Sequence, residues 1–396
     1  MNIIFLITTF FFTCALYSYD LTIIGRFTHS DGIGRISVGI IDTLKDEIDI
    51  NCISTYVNTT DLSNEVSEVI LNPDKTPGKV SLLLDGLWHC HISPPLYTNT
   101  PDSDIKIAYS MLESTKIPVE WVEILNSFFD AVVVPDSFLV DVYRNCGVNI
   151  PIFELPVGMY LDEFSKKTKK SRPGNPFIFG TTVSCDERKN YSLLIQSFAE
   201  EFGNDNNVYL KLNGRQGTVQ KYVDLINSLG VKNIIFSYQV LNKNEYVDFL
   251  NSFDCFINIS KGEGFSLCPR EALALKIPCI LTNNSAQTTI CKSGLVKEIP
   301  SLIPEPATYS GVFGDEPIGD FFTCTKADVK KAMRDVYTNY AYYLKKAKIG
   351  PKWVSVYNWQ KLKNKYLNLV KPKLICLGYK NEITDKYLMT NSRKLF

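Results

Sequence analysis

Two glutamates carry the strongest chemical signal in this chain. In the stretch SKGEGFSLCPREALALKIPCILT (Ser260–Thr282), Glu263 and Glu271 are separated by seven residues, and Gly262 and Gly264 flank the first of them. An apolar run, FDCFINI, precedes the stretch and IPCIL closes it, so the segment predicts a strand, a tight turn, a helix and a second strand. The amides of Gly264, Phe265 and Ser266 would open that helix and could cradle a diphosphate. Glu263 in the turn and Glu271 about a turn and a half into the helix could then accept hydrogen bonds from the hydroxyls of one polyol lying across the helix start, sugar at one end and ribose at the other. An isolated first-turn acid would account for Glu271 but not for Glu263 or the glycines.

A second cluster, SCDERKN, places Arg188 and Lys189 before a helix that Asn190 could cap, so two cations meet a positive helix end. Either an anion comes to them or they pair with Asp186 and Glu187 as a solvated turn. A third, RFTHSDGIGR (Arg26–Arg35), follows the first strand. Gly32 and Gly34 would allow close approach of a ligand, or serve a turn that simply needs glycine. Ser37 stands where a dinucleotide fingerprint requires a third glycine. His89 and His91 flank Cys90, but no third metal ligand accompanies them, and no metal site is expected.

These segments need a scaffold that brings them together. Strand-like runs such as LTIIGRF, KVSLLLDGL, DAVVVP, PFIFGTTV and NVYLKLNG alternate with amphipathic stretches such as NYSLLIQSFAEEF, which is the pattern of an α/β protein. SKKTKKSRPGNP, with five basic residues, two prolines and a glycine, interrupts it midway. Two doubly wound halves are therefore expected, facing a cleft between the carboxyl ends of their strands. The boundaries are an apolar leader at 1–18, a first Rossmann-like domain at 19–165, a linker at 166–176, a second Rossmann-like domain at 177–345, a C-terminal helix at 346–370 and a tail at 371–396.

The chain has 396 residues, 45% of them hydrophobic, and 42 basic residues balance 42 acidic ones. No chain-wide field attracts nucleic acid or anionic lipid, so any anion site must be local. Eleven cysteines without a Cys-x-x-Cys pair point to reduced thiols. Asn-x-Ser patterns at Asn258 and Asn283 on strand ends argue against export. A cytoplasmic location is expected, with the N-terminal apolar segment able to bring the protein to a membrane surface.

Taken together, DGIGR, the run MLESTKIPVEWVEILNSFFDAVVVPDSFLVDVYRNCGV, RKN, GEGFSLCPREALALKIP and WVSVYNWQKLKNKYLNL resemble family 4 of the GT-B glycosyltransferases, the retaining members of glycosyl transferases group 1. The resemblance implies two Rossmann-like domains (GT-B) and transfer of a hexose, with retention, from a nucleotide-diphosphate sugar to a carbohydrate or lipid-linked acceptor. It implies that Arg188 and Lys189 bind the donor diphosphate, that Glu263 binds the donor sugar and Glu271 its ribose. Gly264, Phe265 and Ser266 would hold phosphate, with Gly34 close by. Trp353 and Trp359 would dock the C-terminal helix on the first domain. Where many relatives have a histidine this chain has Ser110 and Glu113; Glu113 resembles a variant of some relatives and implies the acceptor side, which His29 could also reach. No cofactor is implied, and the leaving diphosphate itself would take the acceptor proton. The other readings are an NAD-dependent sugar-nucleotide oxidoreductase or epimerase and a non-catalytic nucleotide-sugar binding protein.

Overall fold

A computed structural model describes residues 19–74, 76–167, 173–203 and 205–370. The expected leader 1–18, most of the basic stretch between the halves and the tail 371–396 lie outside the described residues. The first half contains β1 (Tyr19–Phe27), β2 (Ile50–Val57), β3 (Gly78–Leu84), β4 (Ile105–Tyr109), β5 (Ala131–Val134) and β6 (Ile152–Glu154). They form one sheet of parallel pairs in the order β2-β1-β3-β4-β5-β6. The second half contains β7 (Phe177–Cys185), β8 (Val208–Gly217), β9 (Ile234–Tyr238), β10 (Cys255–Asn258), β11 (Cys279–Asn283) and β12 (Lys297–Pro300). Its sheet is also parallel, in the order β12-β11-β10-β7-β8-β9. The chain is thus α/β with two doubly wound sheets. In each, the order reverses beside its first strand, between β1 and β3 and between β7 and β10, and ligands of such sheets lie at the carboxyl ends there.

The strands form where the sequence has apolar runs, because helices cover both faces of a parallel sheet. Neighbouring residues show it: Ile23 and Ile24 are both buried, yet they enter different apolar layers. Ile23 belongs to a cluster that continues through Met159, Trp359 and Tyr357 to Phe265, Phe256 and Leu281, so one apolar core is shared by both halves. In the helix Tyr191–Phe202 the residues Tyr191, Leu194, Phe198 and Phe202 are all buried.

The last helix, Trp359–Leu369, lies against the helix Gly32–Leu44 of the first half. Its Trp359 ring occupies a slot between two glycines: a Cβ at Gly39 or at Gly158 would come within 2.1 Å of that ring. Tyr366 Oη donates to the Pro156 carbonyl at 2.9 Å. A small antiparallel hairpin, β13 (Ile303–Pro306) and β14 (Asp320–Thr323), sends the loop between its strands back to the first half. There Phe313 stacks on His89 at 5.4 Å and meets Trp121 edge-on at 5.4 Å, while Cys90 N donates to the Val312 carbonyl. Among the described residues, no helix is long and apolar enough to cross a membrane, and nine cysteines are free thiols.

Candidate active site

The site lies where the turn after β7 meets the turn after β10. After β7, Asp186 leads into a short 3₁₀ turn, Glu187–Lys189. Asn190 then takes a left-handed conformation (φ 60°) before the helix Tyr191–Phe202. Asn190 does not cap that helix with its side chain. Its amide instead donates to Thr323 Oγ1 at 3.1 Å, tying the turn to the hairpin strand β14. After β10, residues 259–266 lead into the helix Leu267–Ala274.

The two turns meet through charge. Lys189 Nζ donates to Glu263 Oε1 at 2.7 Å, and Arg188 Nη1 stands 3.5 Å from Glu263 Oε2. Arg188 also donates to the Gly262 carbonyl at 2.5 Å, and its Nη2 lies 3.1 Å from Glu113 Oε1 of the first half. Burial alone would push the Glu263 carboxyl up. Lys189 and Arg188, with hydrogen bonds from Lys189 and Ser260, outweigh it and hold the group below its ordinary value. Burial disfavours the Arg188 cation too, but Glu113, Asp186 and Glu263 more than restore it. The cations are therefore neither bare nor solvated. They are the buried half of an ion network that a polyanion could enter only by exchanging with Glu113 or Glu263.

The glycines of the turn have a specific reason. Neither Gly262 nor Gly264 has positive φ; the left-handed residues here are Ser266 (φ 65°) and Ser285 (φ 43°). A Cβ on Gly262 would come within 2.3 Å of the Glu113 carbonyl, and one on Gly264 within 3.0 Å of the Met111 sulfur. At Gly262 glycine is needed because the backbone of the first half presses directly on this turn, whereas at Gly264 only the Met111 side chain stands in the way. Ser285 Oγ accepts from Glu263 N at 2.7 Å and fixes the turn from the other side. Phe265 is buried edge-on against Tyr357, and Ser266 Oγ accepts from Gln287 at 3.3 Å.

Glu271 is placed differently. It is fully buried, and both of its oxygens have partners: Arg35 Nη2 at 2.5 Å from Oε1 and Tyr246 Oη at 2.5 Å from Oε2. Arg35 belongs to the helix after β1, so this pair crosses between the halves. Beside it, Arg270 is also fully buried, stacks 3.9 Å from the Phe265 ring centre and reaches toward Asp136 of the first half at 3.6 Å. Burial raises the Asp136 carboxyl, partly offset by Arg270 and by the hydrogen bond from Thr289.

The loop after β1 is self-contained. Asp31 caps the helix Gly32–Leu44 by accepting from Gly34 N at 2.7 Å, and it also accepts from Arg26 Nε at 3.1 Å. A Cβ on Gly34 would lie 2.6 Å from the Thr28 carbonyl, so this glycine is required by the loop's own packing. His29 meets Tyr160 edge-on at 6.1 Å. Burial, then Arg35 and Lys243, lower its pKa to about 4, which leaves the ring neutral.

Of the residues singled out from sequence, Arg188, Lys189, Glu263 and Glu113 come into one network, with Gly264, Phe265 and Ser266 in the turn it surrounds. Glu271 forms a second network with Arg35 and Tyr246. Sequence reading missed Arg35, Tyr246, Ser285, Arg270 and Asp136 as parts of the site. Arg35, which closes the DGIGR motif, and Arg270, a charged residue inside a helix between buried strands, carried a local signal. Among the described residues, no group of three or more His, Cys, Asp or Glu is placed to hold a metal ion.

Residues 162–298, which include both networks' second-half members, match the family model described as glycosyl transferases group 1. Among curated proteins no sequence matches this chain. Solved structures similar to it include WaaG, described as a glycosyltransferase involved in lipopolysaccharide biosynthesis, at TM-score 0.61 and 12% identity over 89% of this chain and 100% of that one. Sucrose-phosphate synthase from Thermosynechococcus elongatus aligns at TM-score 0.64 and 13% identity, over 88% of this chain and 98% of that one. TarM aligns at TM-score 0.54 and 16% identity, over 74% of this chain and 54% of that one, so this chain spans about half its length. The chain has the GT-B fold of these structures, and its residues 162–298 are similar to the family model of group 1 glycosyl transferases.

Proposed function

We propose that the protein is a retaining glycosyltransferase of family 4, moving a hexose from a nucleotide-diphosphate sugar to a hydroxyl of a carbohydrate or lipid-linked acceptor. The observation that carries this reading is the Arg188–Lys189–Glu263 network, held at the carboxyl ends of β7 and β10 where the strand order reverses. In this reading the first half (19–165) serves the acceptor and the second (177–345) the donor, and residues 346–370 tie them together. The donor diphosphate takes the place of Glu113 on Arg188 and shares Lys189. This supplies charge-assisted donors where negative charge develops on the leaving group. Glu263, ionised and oriented by Lys189 and Ser285, accepts from hydroxyls of the donor sugar. Gly264, Phe265 and Ser266 line the phosphate end, with the Gly34 loop opposite.

Glu271 is the ribose acceptor, reached when Arg35 gives way. Glu113, released from Arg188, and His29, neutral near pH 7, face the acceptor side. No side chain is assigned as general base; the leaving phosphate oxygen takes the acceptor proton. The solved structures of TarM with UDP and of HepE with UDP and glucose are consistent with a nucleotide-sugar donor. Incubation with radiolabelled UDP-, GDP- and ADP-sugars tests the proposal. Release of labelled sugar or its transfer to glycan acceptors from at least one donor is expected, and inertness toward all three while each nucleotide also fails to bind would overturn it.

A further inference from the structure

The charge of this chain is balanced overall but not along its length. Between Asp335 and Glu382 there is no acidic residue and no arginine, whereas ten lysines occur, seven of them in residues 336–370. The first part of this stretch is helical turn after turn, through Tyr340–Ala347, Gly350–Val354 and Ser355–Tyr357. Backbone bonds from Lys348 to the Leu344 carbonyl (3.0 Å) and from Lys352 to the Ile349 carbonyl (3.1 Å) carry the run across the junctions. One face of it is buried, by Tyr343, Leu344, Ala347, Gly350, Val354 and Tyr357. Gly350 lies so close to the helix bearing Glu271 that a Cβ there would be 2.4 Å from the Leu273 carbonyl.

The opposite face reads Tyr342, Lys345, Ile349, Lys352, Val356, at alternating steps of three and four residues, with Lys348 beside Ile349. All six are exposed, and Tyr342, Ile349 and Val356 have 57%, 53% and 49% of their surface in solvent. None of Lys345, Lys348 and Lys352 joins an ion pair among the described residues. A stripe that alternates large apolar side chains with unpaired lysines has no role in the fold's own core. An anionic water–lipid interface receives both kinds of side chain from one face, the apolar ones inserted and the ammonium groups reaching the headgroups on their long stems.

We propose that this face, Tyr342 to Val356, is a docking surface for an anionic lipid bilayer. A nucleic acid fits less well: the stripe lacks arginine, the residue suited to bidentate phosphate contacts, and Tyr342, Ile349 and Val356 would gain nothing from a phosphate backbone. Lysines acting as point charges suit a diffuse anionic surface, and three apolar side chains need somewhere to insert. Docking here places the membrane behind the helix Leu267–Ala274 and does not depend on the donor assignment.

The test is co-sedimentation of the full chain with vesicles of phosphatidylcholine alone and with phosphatidylserine at about a third of the lipid. Binding to the anionic vesicles and little to the neutral ones is expected. The triple variant Lys345→Glu, Lys348→Glu, Lys352→Glu should weaken it at least about tenfold, since each lysine near such a surface contributes roughly fivefold. Tyr342→Ser with Ile349→Ser should weaken it several-fold at unchanged charge. Should the triple variant fail to give the wild-type circular dichroism, Lys348→Glu and Lys352→Glu are read singly, each for a several-fold loss. Wild-type binding by the charge variants, or equal binding of the wild type to neutral vesicles, would overturn the proposal. So would a duplex DNA that binds this face while the serine variants still sediment like wild type.

Discussion

Arg35 Nη2 stands 2.5 Å from Glu271 Oε1 and joins the helix after β1 to the helix after β10, with the Glu271 carboxylate wholly out of solvent. A fully buried carboxylate needs such partners, and Arg35 and Tyr246 satisfy both of its oxygens. If ribose hydroxyls are the natural partners of Glu271, the guanidinium holds their place. Arg35→Gln should then melt at lower temperature, since loss of a mostly buried pair costs about 3 kcal/mol. It should also bind nucleoside diphosphate several-fold tighter by calorimetry. Weaker binding would make Arg35 a donor contact, and unchanged binding would remove Glu271 from the ribose site.

Glu263→Gln should fold and lose nearly all transfer, because the neutral amide no longer balances Lys189 or orients toward donor hydroxyls. Its stability should also change with pH in a defined direction. The folded carboxyl lies below its ordinary 4.5. Its ionised form therefore stabilises the protein fully above that value, and the contribution is lost as pH falls through the folded pKa. The wild type should thus exceed the variant in denaturant midpoint near neutrality, and the gap should close on acidification. A gap constant from pH 7 to well below the ordinary carboxyl value would show that Glu263 is not held by its cations.

The two glycines of the turn should respond unequally to alanine. At Gly262 the added methyl meets the Glu113 backbone carbonyl at 2.3 Å, which can move only if the halves shift. At Gly264 it meets the end of the flexible Met111 side chain at 3.0 Å. Gly262→Ala should lose about 1–3 kcal/mol and most activity, Gly264→Ala much less. Thermal melts and turnover of the pair side by side check this, and equal losses would mean that the close approach of Glu113 does not matter.

The sequence already showed why the fold forms: parallel strands buried on both faces read as unbroken apolar runs, and the segment from Cys255 to Asn283 folds as the strand, turn, helix and strand its pattern predicts. Arg188, Lys189 and Glu263 were legible because each sits beside glycine or at a helix opening. What could not be read was pairing across the halves. Arg35 and Glu271 are 236 positions apart, and Arg188 and Glu113 come from different sheets, so no periodicity links them. The Gly34 loop has a further local feature that its glycines do not announce: Asp31, three residues before Gly34, caps the helix with its own side chain.

Arg188→Ala tests the charge assignment at the diphosphate. A charge-assisted hydrogen bond contributes about 1.5–3 kcal/mol, so nucleoside diphosphate affinity should fall roughly ten- to a hundredfold. Glu113→Gln should move the other way, because it frees Arg188 from a competitor 3.1 Å away. Calorimetry of both variants is decisive in sign, and an unchanged affinity in Arg188→Ala would take the diphosphate elsewhere.

Transfer should need no divalent metal. A transferase that neutralises its leaving diphosphate with a cation requires paired acids at the carboxyl end of a strand, beside the phosphates. The obvious acidic pair in the first half, Asp102 and Asp104, precedes β4 and so lies at the opposite edge of the sheet. Asp102 is fully solvent-exposed and pairs with Lys106 at 3.2 Å. At the proposed diphosphate position, Arg188 and Lys189 already supply two positive charges in a largely buried setting, where their field is weakly screened. Full turnover is therefore expected after exhaustive EDTA treatment and gel filtration. Loss of activity that returns on adding magnesium or manganese would show that the two side-chain cations do not carry the leaving-group charge.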